Sequence, residues 1–480
     1  MKTLSDGGLS LEAIEDAFSE IRANDLDWSS GRCFAYVFSA GEDVGQVAKQ
    51  AYTAFMTENA LDPTSFPSLV RMENEVVAIA AELVHAEGGV GNFTSGGTES
   101  ILLAVKTARD HARNERGIEN PTILVADSVH PAFHKAAHYF GVEIISVPVR
   151  KDLRADPVAM AEAIDERTAM VVGSAPSYAQ GVVDPIPELA AAAAAKGALM
   201  HVDACVGGFF LPFLDLAGHA VPAFDFRVPG VTSMSLDLHK HGYCPKGASI
   251  VLYKNADLRR HQLFSHTRWS GYGITNATVQ SSRGGASVAA AWAVLRHIGA
   301  ERYKTLQSDV RNCVLALCKG IDAVEGIRVL GEPDGSLLSF ASDDLDVFAL
   351  VDAMREHGWY IQPQFAHGDV PKSVHLTVTP INVPHQDAFL RDLGECVATL
   401  RAAAPAQSPT ADPLAVMAAA FVSGQLSIPD AVAAIGTDPA QQAKHTAAIN
   451  RVLDQLPPEH AEAVLREYFH QMYSAKPAAE

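Results

Sequence analysis

Three polar segments lie beside apolar stretches of this chain, and each carries side chains capable of chemistry. Residues 91–100, rich in glycine and small side chains, precede a pattern typical of a helix. Asp203 closes the apolar stretch 198–202. Lys240 lies between two histidines in the segment 235–243, just past another apolar stretch. The three segments offer an anion seat, an acid at the end of a strand and an amine.

Each segment also has an ordinary structural interpretation: a glycine-rich turn, a helix cap and a solvated surface lysine. A helix N-terminus attracts anions through its unpaired N–H groups and partial positive charge, so residues 91–100 are a candidate phosphate seat. They lack the lysine of a nucleotide-triphosphate loop and the glycine spacing of a dinucleotide site. An acid ending a buried strand lies where α/β sheets bind ligands, and a desolvated lysine becomes a nucleophile. Together the three features match the needs of pyridoxal phosphate: a phosphate seat, an acid for the ring nitrogen and a lysine for the aldehyde.

Alternating apolar stretches and helical patterns indicate how these segments are positioned. A helical pattern at 187–196 separates two of the stretches, which is typical of a mostly parallel sheet with covered faces. The predicted strands are 122–126, 143–147, 169–173, 198–202, 233–236 and 249–253.

The rhythm of the pattern also predicts four regions. Residues 1–65 are interpreted as an N-terminal arm and 66–300 as a large cofactor-binding domain. Residues 301–406, where short strands alternate with helices, are interpreted as a smaller C-terminal α+β domain. A linker rich in Ala, Pro and Ser at 405–413 introduces a helical tail, 407–480.

Composition excludes several classes of function. The 480 residues carry a formal charge of −19, which argues against binding to nucleic acid or to anionic lipid. No charge-free apolar run of 18 residues is present, so no membrane span is expected. The six cysteines form no C-x-x-C pair, which favours reduced thiols and a cytoplasmic location. No metal site is expected, because Lys240 between two histidines would repel a cation.

Longer stretches around these segments resemble the sphingosine-1-phosphate lyases, within the pyridoxal phosphate-dependent group II decarboxylase family of fold-type I. The resemblance is carried by residues 94–100, 201–209 and 237–247, and it continues through 181–187, 224–233 and 282–285. It spans residues 31–404. The implied fold is α/β, with a mostly parallel sheet in the large domain and a smaller C-terminal α+β domain.

The resemblance implies roles for individual residues. Lys240 would form the internal imine with the cofactor, Asp203 would pair with the ring nitrogen, and His130 would stack on the ring. From the residues alone, His130 is more simply a helix cap. The phosphate of the cofactor would be bound by Gly97 and Thr98, with His239 beside them. Residues placed near the phosphate of the substrate in the family match Lys246 and Tyr178.

The family also implies a homodimer with shared active sites, in which Ser282 and Gly284 would approach the cofactor of the partner. Two positions that border the substrate differ from the lyase pattern. Asp62 stands where a histidine is expected, and Phe38 where a tyrosine is expected, although Tyr36 lies close by in the sequence. The differences concern the substrate and leave the cofactor residues intact.

The resemblance therefore predicts a lyase that cleaves a carbon–carbon bond of a phosphorylated long-chain amino alcohol, giving an aldehyde and phosphoethanolamine. The alternative is an amino-acid decarboxylase with the same cofactor. A phosphate grip by Lys246 and Tyr178 favours the lyase, and an arginine or a pocket for a carboxylate favours the decarboxylase. Asp62 weakens the case for a dianionic ligand, because a carboxylate repels a phosphate. The base that takes the proton of the substrate hydroxyl is left open among Tyr178, His130 and Lys240.

Overall fold

A computed structural model describes residue 4 and residues 7–403, 427–435 and 446–474. The chain divides into two compact units. One comprises residues 34–340 and 375–386, and the other comprises 1–33, 341–374 and 387–480. The predicted linker at 405–413 lies outside the described residues. The predicted boundaries of the arm, the two domains and the tail stay predictions.

A seven-stranded sheet forms the centre of the larger unit, in the order β1-β7-β6-β5-β4-β2-β3. Strands β2 to β6 pair in parallel, and β7 runs antiparallel to both β1 and β6. The prediction of a mostly parallel sheet is confirmed. The strands are β1 (Val90–Thr94), β2 (Thr122–Ala126), β3 (Glu143–Val147), β4 (Thr168–Ser174), β5 (Leu199–Asp203), β6 (Val231–Leu236) and β7 (Ser249–Tyr253).

Helices accompany these strands in the order that the sequence predicts. In α4, which runs from Gly97 to Arg116, Ile101 and Val105 are buried in one core cluster with Ile123 and Val125 of β2. The helices with most of their residues in this unit are α2 (Glu42–Ala54), α3 (Pro67–Leu83), α4 (Gly97–Arg116), α5 (Ala132–Phe140), α6 (Pro157–Ala163), α7 (Ile186–Ala195), α8 (Leu211–Leu216), α9 (Ala256–Arg260) and α10 (Gly285–Asp322). Helix α10 is interrupted at Gly299, where φ is +65°.

Strand β1 overlaps the stretch 91–100, which the sequence alone allows as a glycine-rich turn. Its glycine has a structural reason: a Cβ on Gly91 would clash with the Val251 carbonyl oxygen on β7. The hairpin of β8 (Phe264–His266) and β9 (Ile274–Asn276) is also absent from the predicted elements. Both segments lack the clear apolar alternation on which the strand predictions rest.

A second sheet has four strands in the order β10-β11-β13-β12. They are β10 (Ile327–Val329), β11 (Leu337–Ser342), β12 (Gln362–Gln364) and β13 (Ser373–Thr377). The smaller unit contains the helices α1 (Leu11–Ile21), α11 (Val347–Glu356), α12 (Gln386–Ala403), α13 (Ile428–Ile435), α14 (Thr446–Gln455) and α15 (Pro458–Met472). None of the helices in the described ranges is long and apolar enough to cross a membrane.

Candidate active site

A cavity of about 350 Å³ lies at the carboxyl ends of the parallel strands in the larger unit. Its wall includes the last residues of β4 and β5, the residue after β6 and the first turn of α4. This is the edge where open α/β sheets bind ligands. The cavity brings together seven predicted site residues: Gly97, Thr98, His130, Tyr178, Asp203, His239 and Lys240.

The turn from β1 into α4 supplies the anion seat. The 20-residue helix begins at Gly97 without a side-chain cap, so the N–H groups of its first turn face the position where an anion would bind. Gly97 is required by close packing: a Cβ there would lie 2.7 Å from Asp237 Oδ2 and 2.8 Å from Cys205 Sγ. Buried Glu99 stabilises the turn by accepting hydrogen bonds from the N–H groups of Ser95 (2.6 Å) and Val279 (2.7 Å). The seat is therefore formed before an anion binds.

Asp203 ends β5, between the parallel strands β4 and β6. Its side chain lines the cavity, and Oδ1 accepts hydrogen bonds from the Cys205 N–H (3.1 Å) and the Ser235 hydroxyl (3.2 Å). These bonds fix the carboxylate. A buried, fixed carboxylate is suited to a charge-assisted hydrogen bond from a protonated ring nitrogen.

His130 has both of the roles considered from the sequence. Its Nδ1 accepts a hydrogen bond from the Ala132 N–H (3.2 Å) at the start of α5, as a cap does, and its ring lines the cavity. Burial lowers the pKa of His130, outweighing the opposing effect of Asp203. The ring is therefore neutral near pH 7, with Nδ1 as acceptor and the proton on Nε2.

Tyr178 lines the cavity with support from a residue far along the chain. Its ring stacks on that of His375, with centroids 4.4 Å apart and an interplanar angle of 26°. His375 lies on β13, and its Nε2 is 3.0 Å from the Thr377 hydroxyl. Burial lowers the pKa of His375 to about 4, so this ring is neutral and packs as an apolar surface.

Lys240 is paired with an acid that the sequence analysis did not assign. Its Nζ lies 3.0 Å from Oδ2 of Asp237, whose side chain is only 2% exposed. Asp237 follows β6 as Asp203 ends β5, so the rule that selected Asp203 could have selected it too. His239, beside them, accepts the Ala248 N–H at Nδ1 (3.2 Å).

Lys246 is not among the residues that line the cavity, but its ammonium lies close to them. Its Nζ is 3.4 Å from the His239 carbonyl oxygen and 5.1 Å from the centre of the Phe38 ring. Although the side chain is exposed, partial desolvation and the charge of Lys240 lower the pKa of Lys246 to about 8. A lysine of this kind titrates near neutral pH.

Besides Lys246, four predicted site residues lie outside the cavity lining. Tyr36 is 52% exposed. Asp62 is exposed and accepts hydrogen bonds from the N–H (2.8 Å) and hydroxyl (2.7 Å) of Thr64, so it caps a turn. Ser282 and Gly284 are exposed before α10, where Gly284 forms an antiparallel bridge with Asn59. A single chain therefore does not bring these four to the cavity.

The residues of the cavity fit pyridoxal phosphate. The uncapped start of α4 is suited to binding the phosphate, and Asp203 is suited to pairing with the ring nitrogen. Lys240 lines the cavity, where its amine could bind the aldehyde. One buried polar atom, Asp237 Oδ1, accepts no hydrogen bond within the described part of the chain. Such an atom at a cavity is typical of a binding site whose donor arrives with a ligand.

This sheet order and this cavity define an α/β enzyme of the pyridoxal phosphate class. The chain belongs to the pyridoxal-dependent decarboxylase family, whose conserved domain matches residues 5–342. Pyridoxal phosphate is thus its cofactor, and the chain is a lyase.

Named relatives place the chain within this family more narrowly. It is 42% identical over 404 residues to a sphingosine-1-phosphate lyase of Arabidopsis thaliana, covering 82% of this chain and 73% of that protein. A rat sphingosine-1-phosphate lyase is 38% identical over 401 residues, covering 83% and 70%. The solved sphingosine-1-phosphate lyase of Burkholderia pseudomallei superposes with a TM-score of 0.80 at 36% identity, covering 85% of this chain and 94% of that one.

Proposed function

We propose that this enzyme cleaves the carbon–carbon bond of a phosphorylated long-chain amino alcohol, yielding an aldehyde and phosphoethanolamine. The observation that carries the proposal is the identity of 34–42% to sphingosine-1-phosphate lyases from plants, animals and fungi. The cavity supports it, because Lys240, Asp203 and the start of α4 meet there.

Bound pyridoxal phosphate supplies a sink for the electrons released at the α-carbon of the substrate. In our proposal Lys240 holds the aldehyde end of the cofactor, and Asp203 keeps a proton on the ring nitrogen. Gly97 and Thr98 bind the phosphate through backbone N–H groups, with His239 alongside. His130, neutral and half-buried, packs against the ring.

The hydrogen bond made by His130 argues against this residue as the base for the substrate hydroxyl. His130 Nδ1 already accepts the Ala132 N–H, so the neutral ring carries its proton on Nε2 and has no lone pair to offer the cavity. Tyr178 and Lys240 remain as candidates on the cavity wall. We favour Lys240, because it is the more basic group once it has released the cofactor to the substrate.

We propose that Lys246 and Tyr178 bind the phosphate of the substrate. No arginine is found in the lining of this cavity among the described residues, and Arg283 nearby is already paired with Glu73 at 2.7 Å. This disfavours a site built for the carboxylate of an amino acid. Asp62 and Tyr36 are proposed to border the substrate only in the assembled enzyme.

The position of the segment before α10 supports a homodimer. Ser282 and Gly284 are exposed and do not line the cavity of their own chain, as expected if they serve the cofactor of a partner. The six cysteines are all free thiols, five of them buried, which supports the cytoplasm as the compartment.

One experiment distinguishes carbon–carbon bond cleavage from decarboxylation. The purified enzyme, loaded with pyridoxal phosphate, is incubated with phosphorylated long-chain bases and with aromatic or acidic amino acids, and aldehyde and carbon dioxide are measured. We expect aldehyde from the former. Carbon dioxide without aldehyde would favour the decarboxylase. Lys240→Ala should lose the visible absorbance of the bound cofactor, and a variant that keeps that band would refute the role of Lys240.

A further inference from the structure

The carboxylate of Asp237 is held rigidly beside the amine of Lys240. The backbone N–H of Asp237 donates to the Cys205 carbonyl (3.2 Å), and the backbone carbonyl of Asp237 accepts from the Lys240 N–H (3.3 Å). The first turn of α4 packs so closely on the carboxylate that a Cβ on Gly97 would approach its oxygens to 2.7 and 2.8 Å. The backbone hydrogen bonds and the packing of α4 therefore keep the acid beside the lysine.

The charge of Lys240 is set mainly by this neighbour. Burial alone would lower the pKa of the amine, but the Asp237 carboxylate outweighs it and raises the pKa above the usual range. Burial would likewise raise the pKa of Asp237, but Lys240, with His239, holds it well below its usual range. The pair is thus an ammonium and a carboxylate at neutral pH.

Other groups facing Lys240 do not replace this partner. Asp203 is engaged by the Cys205 N–H and the Ser235 hydroxyl. The titratable neighbours His130, His241 and Cys205 are kept neutral by burial, which lowers the pKa values of the histidines and raises that of the thiol. Lys246 adds a like charge. Among the described residues, Asp237 is the one acid within 4.0 Å of the Lys240 amine.

We propose that Asp237 is a positioning residue for Lys240, which holds its ammonium at the cavity wall in the cofactor-free enzyme and sets how readily the amine reacts with the cofactor. The inference rests on the role proposed for Lys240. An ammonium must first release a proton to solvent, because only the neutral amine attacks a carbonyl carbon. The amine nitrogen then bonds to the aldehyde carbon, and the aldehyde oxygen leaves as water with the two amine hydrogens. Asp237 therefore favours correct placement at the expense of the rate of cofactor uptake.

The test measures cofactor uptake rather than turnover. Full-length cofactor-free enzyme is mixed rapidly with pyridoxal phosphate at a series of pH values, and the rise of visible absorbance is followed. The wild-type rate should still be rising at the highest pH at which the enzyme stays folded. Asp237→Asn, which removes the charge and keeps the shape, should lower the pKa of Lys240 by at least about one unit, so uptake at neutral pH becomes at least about tenfold faster.

Two further variants give the comparison its meaning. Asp237→Glu restores the charge and should return the pH profile toward that of the wild type. Asp225→Asn is a matched control, because Asp225 is also a buried acid, paired with Arg227 at 2.8 Å, and is not among the residues that line the cavity. Its pH profile of uptake should match that of the wild type.

An Asp237→Asn profile with the wild-type pH dependence, at any overall rate, overturns the proposal, since a purely structural role would change the amplitude alone. If that variant does not fold, amine labelling of the wild-type cofactor-free enzyme, read by peptide mass spectrometry, decides instead. Lys240 should titrate above the ~10.4 of a free lysine, and a value below it refutes the inference. If the wild type lacks the visible band, or if Lys240→Ala keeps it, the proposed function is refuted. Neither result would bear on the role proposed for Asp237.

Discussion

Replacing Lys246 tests how the enzyme grips the phosphate of its substrate. The pKa of this lysine is lowered to about 8, so its ammonium is present below pH 8 and is lost above it. A charge-assisted hydrogen bond contributes about 1.5–3 kcal/mol, and the lower half of that range applies because the side chain is exposed. Lys246→Met should therefore lower kcat/KM for the phosphorylated substrate by about 10- to 45-fold at pH 7.

The pH profile separates this role from a structural one. Because kcat/KM reports the free enzyme, the wild-type value should fall as pH rises through about 8, whereas Lys246→Met should show no such step. Lys246→Arg keeps its charge and should stay active at higher pH. Aldehyde formation from the phosphorylated substrate is compared with that from its unphosphorylated analogue. Lys254→Met, a change to another exposed lysine, serves as the control.

An equal loss on both substrates would refute the assignment of Lys246 to the substrate phosphate. So would an unchanged pH step in Lys246→Met, because that step would then belong to another group.

Three other predictions concern the cofactor site and the core. Asp203→Ala should slow turnover by about 10²–10³-fold, and a loss below about tenfold, measured with saturating cofactor, would show that another group holds the ring nitrogen. Gly97→Ala should destabilise the enzyme by about 1–3 kcal/mol in chemical denaturation and weaken cofactor binding in equilibrium titration, because its Cβ would overlap Asp237. Burial lowers the pKa of His201 to about 4 in the folded enzyme. As pH falls below about 6.5, His201 is therefore protonated in the unfolded chain while it is still neutral in the folded one. From pH 7 to pH 5 this histidine alone should cost about 2 kcal/mol of the unfolding free energy, and denaturation of His201→Gln should show a correspondingly smaller loss.

The sequence predicts the strands that carry the site because β4, β5 and β6 are almost entirely buried and rich in apolar residues. All six predicted strands are present, with ends shifted by two residues at most. Strand β1 was missed because Gly91 and Asn92 have low strand propensity, and what selects Gly91 is contact with the Val251 backbone, which lies far away in sequence.

The sequence predicts some residues of the candidate site and not the contacts between them. The rule that ligands bind past the ends of parallel strands located Asp203 and Lys240, and both line the cavity. The sequence does not indicate that Asp237 pairs with Lys240. An acid three positions from a lysine is common in surface turns, and the spacing alone does not show that both side chains point into one cavity. Nor does the sequence indicate the stacking of His375 on Tyr178, since 197 positions separate the two along the chain.

The distant origin of His375 affects how the protein is made. The larger unit is discontinuous, since residues 375–386 join it after an excursion that begins at residue 341. On the ribosome, Lys240, Asp203 and the α4 turn are synthesised before His375, the residue whose ring supports Tyr178. Newly made enzyme therefore has a period in which one wall of the pocket lacks its backing, and cofactor captured in that period meets an incomplete chamber.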